Sequence, residues 1–198
     1  MENKSTKEKI LLTAFKAFLR AGYRDVSINE IVRELGITKG AFYYYFRSKD
    51  ALFIEIIEAY CFNFLYEFAA VISSQQIEIR DKIQAAAALI LNKLDFNQQE
   101  GIEYGSFLLL MYDSMKRMDY LKDRVIKLYQ NLYELVLANF AQAQEQGIIK
   151  PDLDPEALTL TLITMIEGIF FMSEIFDTEL LKTKAEAIIN NFWLQMAS

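Results

Sequence analysis

Apolar residues recur at intervals of three and four along most of the chain, which predicts helices rather than strands. A first helix is expected to begin after Ser5, because Ser5 and Glu8 have the spacing of a capping box, and to end near Gly22. A second box, Ser27 with Glu30, predicts a short helix that ends at Gly36. The apolar face of the first helix carries Ile10, Leu11, Ala14, Phe15, Phe18 and Leu19.

The segment after Gly36 predicts a third short helix, with Thr38 as its N-cap. Its inward residues are expected to be Ala41, Phe42 and Phe46. Its outward residues are then Lys39, Gly40, Tyr43 and Tyr44. An aromatic core helix whose hydroxyls reach solvent is one explanation of the tyrosines. Lysine and glycine at the start of the helix favour another, in which a helix-turn-helix lies on DNA.

The remaining chain predicts one helical body without internal repeats. The whole chain has only two prolines and seven glycines, and the clearest loop is 146–155, where Asp154 caps a helix and Pro155 takes its first position. We therefore expect an all-α protein with a helix-turn-helix domain at 1–50 and a second, helical domain at 51–198. The expected body helices are 50–73, 79–94, 102–112, 120–146, 155–176 and 179–196.

Charge divides the chain in the same place. Residues 1–52 hold ten Lys and Arg against six Asp and Glu, a net of +4, and residues 53–198 hold eleven against 21, a net of −10. The two values sum to the overall net charge of −6. A basic first quarter on an acidic body is expected if only the N-terminal part meets phosphates.

Composition argues against several other classes of protein. The chain has no histidine, which removes the commonest general base and metal ligand, and it has a single cysteine, Cys61. No phosphate-binding glycine loop or paired cysteines appear. We therefore expect no enzyme activity, no metal and no cofactor. No uncharged apolar run reaches the roughly 18 residues of a membrane span, and no signal peptide is evident, so we expect a cytoplasmic protein that does not enter membranes.

The first fifty residues resemble a known family. The run GITKGAFYYYFRSK, residues 36–49, closely resembles the DNA-binding module of the TetR/AcrR family of bacterial transcription regulators, and the match extends from about residue 7 to 53. The resemblance implies about nine helices, a homodimer and a third helix in the major groove. Many members carry histidine where this chain has Tyr45, which can still donate to a phosphate. The DNA-binding residues implied are Ser27, Thr38, Lys39, Gly40, Tyr43, Tyr44, Tyr45 and Lys49, with Ser27 and Lys49 on phosphates.

The resemblance also implies a dimer interface on the last two helices and an effector pocket among the middle ones, so residues 51–198 would form an effector-binding and dimerisation domain. Monomer core is the alternative for every apolar residue in either set, and a solvated or interface carboxylate is the alternative for Glu167. The implied interface consists of Leu158, Leu162, Met165, Ile169, Phe192 and Trp193. The implied pocket consists of Tyr60, Phe64, Phe68, Tyr104, Phe107, Met111, Tyr129, Tyr133, Glu167 and Phe171.

The sequence thus predicts a dimeric, ligand-responsive transcriptional regulator. Its partners would be a palindromic operator in duplex DNA, a small apolar or aromatic effector and a second copy of the chain. We expect repression that the effector relieves. Two alternatives stay open at this point: a ligand-binding protein or small enzyme with a vestigial helix-turn-helix, and a module that uses the tyrosine-rich helix to bind another protein.

Overall fold

The computed structural model describes residues 5–75, 77–173, 175–176 and 178–198. Within these residues the chain forms nine helices and no strand, apart from an isolated bridge between Ile149 and Ala197. The predicted all-α class is confirmed. The helices are α1 Thr6–Asp25, α2 Ile28–Leu35, α3 Lys39–Tyr45, α4 Lys49–Ser73, α5 Ile79–Glu100, α6 Tyr104–Arg117, α7 Asp119–Glu145, α8 Pro155–Met172 and α9 Thr178–Met196.

The chain divides into two compact units. The first contains residues 5–63 together with Ser106–Asp123, and the second contains Phe64–Gly105 together with Arg124–Ser198. One boundary falls inside α4, just after its π-helical segment Ile57–Phe62. The predicted division at residue 50 was a division by function, and it does not coincide with the boundaries of the compact units. It stays a prediction.

Three of the four local signals at the start of the chain act as predicted, and Gly22 does not. Both capping boxes form: the Ser5 hydroxyl accepts from the amide of Glu8, and the Ser27 hydroxyl accepts from the amide of Glu30. Gly36 ends α2 in the left-handed conformation, with φ of 65°. At Gly22 the backbone has φ of 78° but an extended ψ of 163°, so the chain kinks there and makes one more turn before α2.

The core of the first unit is aromatic. The ring of Phe18 meets Phe53 edge-on at 5.5 Å between centroids, and Phe15 stacks on Tyr60 at 4.4 Å. Phe15, Phe18 and Phe53 are buried, so α1 and α4 are joined by large apolar side chains. Burying each such side chain contributes about 1.5–3 kcal/mol. The short helices α2 and α3 are marginal on their own, and packing on this core stabilises them.

In the second unit the core lies among α5, α7 and α9, where Phe140 meets Phe192 at 6.3 Å between ring centroids. The predicted loop before α8 is held by Gln144, whose side-chain amide donates to the carbonyl oxygens of Lys150 and Leu153 at 2.9 and 2.7 Å. Asp154 caps α8 and Pro155 stands in its first turn, as predicted.

Several helix ends differ from the predicted ones. Helix α5 continues six residues beyond Leu94, because the polar residues that follow its apolar stripe are still good helix formers. Helix α6 continues to Arg117, whose guanidinium lies 2.5 Å from the Asp113 carboxylate one turn earlier. Helix α8 ends at Met172 rather than at Phe176.

Two helices, Lys49–Ser73 and Pro155–Met172, are long and apolar enough to cross a membrane by length and composition alone. The core helices of water-soluble proteins pass the same test. Both helices also carry acidic residues, among them Glu55 and Glu67 in α4 and Glu167 in α8. Their apolar character is therefore weak evidence for a membrane span. Much of the apolar surface of α8 is left unburied by the chain itself.

Candidate nucleic-acid interface

Helix α3 is anchored from one side only. Phe42 and Phe46 are buried and their ring centroids lie 5.7 Å apart, so these two side chains fix the helix to the first unit. The Thr38 hydroxyl accepts from the amide of Ala41 at 3.1 Å and defines where the helix begins. This arrangement leaves the opposite face of α3 to solvent.

The solvent face of α3 is aromatic and basic. Tyr44 is 82% exposed, Tyr43 51% and Tyr45 37%, and Lys39 and Gly40 are exposed beside them. The rings of Tyr44 and Tyr45 pack edge-on at 4.9 Å, which orients both. A helix of seven residues that leaves three large rings exposed offers phenol hydroxyls and apolar ring faces to a partner.

Gly40 is not required by the fold. Its φ is not in the left-handed region, and a Cβ placed there would meet only the Thr38 hydroxyl oxygen, at an ordinary 3.8 Å. Alanine would favour a helix by up to about 1 kcal/mol. The reason for a glycine at this position therefore lies outside the folded chain, and close approach of a partner's backbone fits it.

The predicted phosphate contact Ser27 is exposed at the N-cap of α2. Its hydroxyl oxygen accepts from the amide of Glu30 at 3.2 Å, which leaves the hydroxyl proton to be donated elsewhere. The Ser27 amide donates to the Glu30 carboxylate at 2.6 Å, and this bond lowers the pKa of Glu30. A phosphate contact at Ser27 is compatible with this geometry and stays a prediction.

Lys49, the other predicted phosphate contact, is already engaged within the first unit. Its ammonium donates to the carbonyl oxygen of Arg24 at 3.3 Å and lies 4.3 Å from the centre of the Tyr23 ring. Burial lowers the pKa of Lys49. Its first role here is thus to hold the start of α4 to the end of α1, while contact with a phosphate stays a prediction.

Tyr23 was not predicted from the sequence to join several helices, but the structure shows that it does. Its hydroxyl donates to the Asp50 carboxylate, and the centre of its ring lies 4.3 Å from the Lys49 ammonium and 5.3 Å from the Arg117 guanidinium. These four residues come from α1, α4 and α6, so no local pattern could have joined them. Tyr23 ties the end of α1, just before the helix-turn-helix, to α6.

We expect a Tyr23→Phe variant to lose about 1 kcal/mol of stability near neutral pH, the ordinary value of one hydrogen bond. Burial and the nearby Asp50 raise the pKa of Tyr23 well above its ordinary value. The stabilisation is therefore complete below the unfolded pKa of about 10 and is lost as pH rises above it. Urea unfolding at a series of pH values should show the difference between wild type and variant shrinking above about pH 10. A difference that is constant with pH would contradict this assignment.

The predicted effector-pocket residues are distributed over both units. Tyr60, Phe107 and Met111 belong to the first, and the side chain of Tyr104 lies outside the described part of the structure. The second unit holds Phe64, Phe68, Tyr129, Tyr133, Glu167 and Phe171. Phe68 is core and Phe171 is half exposed. Three cavities lined by described residues contain none of the predicted pocket residues. The pocket as a set therefore stays a prediction.

Within the second unit, two of these residues form a polar pair. The Tyr129 hydroxyl donates to the Glu167 carboxylate at 2.7 Å, linking α7 to α8. Nearby in sequence, Phe170 meets the Phe64 ring edge-on at 5.3 Å. A half-buried carboxylate and phenol in an apolar helix pair are one feature a ligand with a hydrogen-bond donor could use.

The predicted dimer surface stays a prediction, although four of its six residues are buried within the single chain. Leu162, Ile169, Phe192 and Trp193 are buried within the monomer, because α8 and α9 use these stripes to pack on their own unit. Leu158 and Met165 are partly exposed. The apolar residues that these two helices and the segment between them leave at the surface are Leu160, Phe171, Met172, Ile175, Phe176, Leu180 and Leu194.

Two family models match the chain. Residues 10–56 match the model described as bacterial regulatory proteins of the tetR family, and residues 87–188 match the tetracyclin repressor-like C-terminal domain. The second match alone covers more than half of the chain. This chain belongs to the TetR family of bacterial regulatory proteins, as the sequence of its first fifty residues predicted.

Curated relatives agree with this assignment. The regulator YdgC of Bacillus subtilis is 26% identical over 82% of this chain and 77% of its own. Two other regulators of that organism are 47% and 44% identical, but only over 55 and 54 residues, so that the chain matches just 19% of their length. The higher identity of these short matches shows that resemblance is concentrated in part of the chain.

Solved structures share the fold over nearly the whole length. The ketosteroid transcriptional regulator KstR2 of Mycobacterium tuberculosis has a TM-score of 0.74 at 13% identity, covering 100% of this chain and 97% of its own. SmeT in complex with triclosan has a TM-score of 0.72 at 17% identity, covering 98% and 93%. At these identities the likeness shows the fold alone.

Proposed function

We propose that this protein is a transcriptional repressor that binds a palindromic operator as a homodimer and releases it when a small apolar or aromatic effector binds. One observation carries the proposal: the exposed face of α3, with three tyrosines, a lysine and an unneeded glycine, stands in the basic quarter of an otherwise acidic chain. The C-terminal family model is described as tetracyclin repressor-like, which supports repression rather than activation.

The exposed face of α3 suits the major groove. Lysine and phenol hydroxyl groups bind phosphate oxygens, and ring faces contact base edges and thymine methyl groups. A glycine in the first turn lets the DNA backbone come close to the helix N-terminus. Two copies of this helix, spaced about 34–36 Å apart, would meet successive major grooves on one face of the duplex.

A homodimer is supported by the surface of α8 and α9. Helix α8 has a mean hydropathy of 1.4, yet only 28% of it is buried within the chain. Together with α9 it leaves Leu160, Phe171, Met172, Leu180 and Leu194 exposed. Large contiguous apolar surfaces mark interfaces, and a self-complementary pair of helices in each copy gives a closed two-fold dimer.

An effector of apolar or aromatic character is supported by the aromatic and methionine residues of the predicted pocket, whose types suit such ligands. KstR2 is described as a ketosteroid regulator, and SmeT has been solved with triclosan. For this chain, the release mechanism would be a population shift, in which the effector binds best to a form whose two α3 helices are wrongly spaced for the operator.

The proposal is tested by titrating labelled duplex DNA with the purified chain at several salt concentrations. We expect affinity to fall steeply with salt, with a log–log slope of several units, because each dimer displaces counterions from several phosphates. Nonspecific duplex DNA should compete weakly but measurably. If duplex DNA neither binds nor competes, the tyrosine-rich helix serves a protein partner instead, and the repressor assignment fails.

A Gly40→Ala variant should change folding and DNA binding in opposite directions. The helix should gain up to about 1 kcal/mol, because the added methyl group has room and alanine favours helices. Operator affinity should fall by about tenfold or more, because the methyl group holds the DNA away. Urea unfolding and a DNA titration on the same preparation measure both. An equal or higher DNA affinity would show that the glycine does not mark the contact.

A further inference from the structure

The second compact unit contains a buried lysine, Lys82, that the proposed function does not use. Lys82, in the first turns of α5, is only 7% exposed. Its ammonium donates to the side-chain oxygen of Asn139 on α7 at 2.7 Å, and Asn139 in turn donates to the carbonyl oxygen of Leu135 at 2.8 Å. Among the described residues, no carboxylate lies within ion-pair distance of Lys82.

A buried ammonium without a counter-charge is costly. Removing such an ion from water costs several kcal/mol, and one hydrogen bond to a neutral amide offsets only part of this. Burial alone lowers the pKa of Lys82, and no neighbouring charge contributes to that shift. By contrast, Lys182 on α9 ion-pairs with Asp95 and Glu179. Lys82 is therefore a buried cation that forms no ion pair within the described chain.

Lys82 and Asn139 line an open cavity of about 270 Å³ between the start of α5 and the end of α7. Polar side chains form much of its wall, including Ser74 after α4 and Gln142 and Gln146 on α7. The N-cap of α5, Glu78, makes no side-chain capping bond, so the first amides of this long helix are not satisfied by it. The Glu78 carboxylate stands at the exposed rim of the same cavity.

We propose that this cavity binds a compact oxyanion, the phosphate or carboxylate group of a small molecule, through an ion pair with Lys82. The amide groups of Gln142 and Gln146 supply further donors, and the positive end of α5 adds to the attraction. The exposed carboxylate of Glu78 at the rim opposes this attraction. This site is separate from the proposed effector pocket and does not depend on the repressor assignment.

Calorimetric titration and thermal unfolding of the full chain, with inorganic phosphate in one arm and acetate in the other, test the proposal against sodium chloride of equal ionic strength. We expect saturable binding of one anion per chain and a higher unfolding temperature. The arm with the tighter binding distinguishes phosphate from carboxylate. Lys82→Met should weaken binding by about tenfold or more, whereas Lys127→Met, which removes an exposed lysine from the same helix as Asn139, should not change it.

Asn139→Asp supplies a second variant in case Lys82→Met does not fold. A carboxylate at this position would lie beside the Lys82 ammonium and take the place of the anion. Because the change also removes the bond to Leu135, the measurement is anion binding rather than stability, and we expect binding to be lost. Phosphate and acetate effects no larger than those of sodium chloride, or equal binding in wild type and Lys82→Met, would overturn the proposal.

Discussion

Replacing Tyr44 by alanine is expected to lower operator affinity by roughly 30-fold or more without changing the unfolding temperature. Tyr44 is 82% exposed, so truncation removes almost no packing within the chain. In a dimer the contact is lost twice, and a side-chain contact to a base or a stacked ring contributes about 1–3 kcal/mol. Lys39→Ala should also weaken binding, but in a way that depends on salt, because it removes one phosphate contact per chain.

Tyr112→Ala provides the matched control for Tyr44→Ala. Tyr112 is also more than half exposed, but it stands on α6 rather than α3. Fluorescence anisotropy with the operator should separate the two variants, while circular dichroism should show both folded. If wild type and Tyr44→Ala bound the operator equally well, or if both variants lost the same amount of operator affinity, α3 would not be the helix that reads DNA.

The second large effect is expected from the double variant Leu160→Glu, Leu194→Glu, which should dissociate the dimer. Both leucines are exposed in the single chain, one on α8 and one on α9. A carboxylate buried without a partner costs several kcal/mol, and the two-fold symmetry doubles the number of such groups. The dimer dissociation constant should therefore rise by about a hundredfold or more, with each monomer still folded.

Sedimentation equilibrium measures this dissociation, and a DNA titration measures its consequence. Monomers reach only one half-site each, so operator affinity should fall together with dimerisation. Leu109→Glu, at an exposed leucine on α6, is the control and should change neither quantity. A double variant that stays dimeric would place the interface elsewhere than on α8 and α9.

Features set by neighbouring residues were predictable from the sequence. The capping boxes at Ser5 and Ser27, the left-handed Gly36 and the inward Phe42 and Phe46 all follow from local patterns, and the structure confirms them. The exposed position of Tyr44 follows from the same pattern, because a short helix with two inward phenylalanines leaves the remaining positions outside.

Features set by distant residues were not predictable in the same way. The apolar stripes of α8 and α9 were compatible with core or interface, and only the packing of α9 on its own unit shows that Phe192 and Trp193 are core. The family resemblance assigned Lys49 to a phosphate contact. The contact that engages it involves Tyr23 and Arg24, 25 or more residues earlier in the chain.

The same limit applies to Lys82. A lysine in the first turn of a polar helix start predicts a solvated charge, and nothing local indicates burial. Its burial arises because α7 brings Asn139 against the start of α5. The exposed face of α3 could therefore be predicted from the sequence, whereas the proposed anion site could be found only from the folded structure.

Selection of bound duplexes from a pool of random sequence tests whether two copies of α3 read DNA together. We expect enrichment of a palindrome whose half-sites are about one helical turn apart, and loss of that enrichment in Tyr44→Ala. A pool that shows no enriched sequence, or the same enriched sequence with Tyr44→Ala as with wild type, would contradict it.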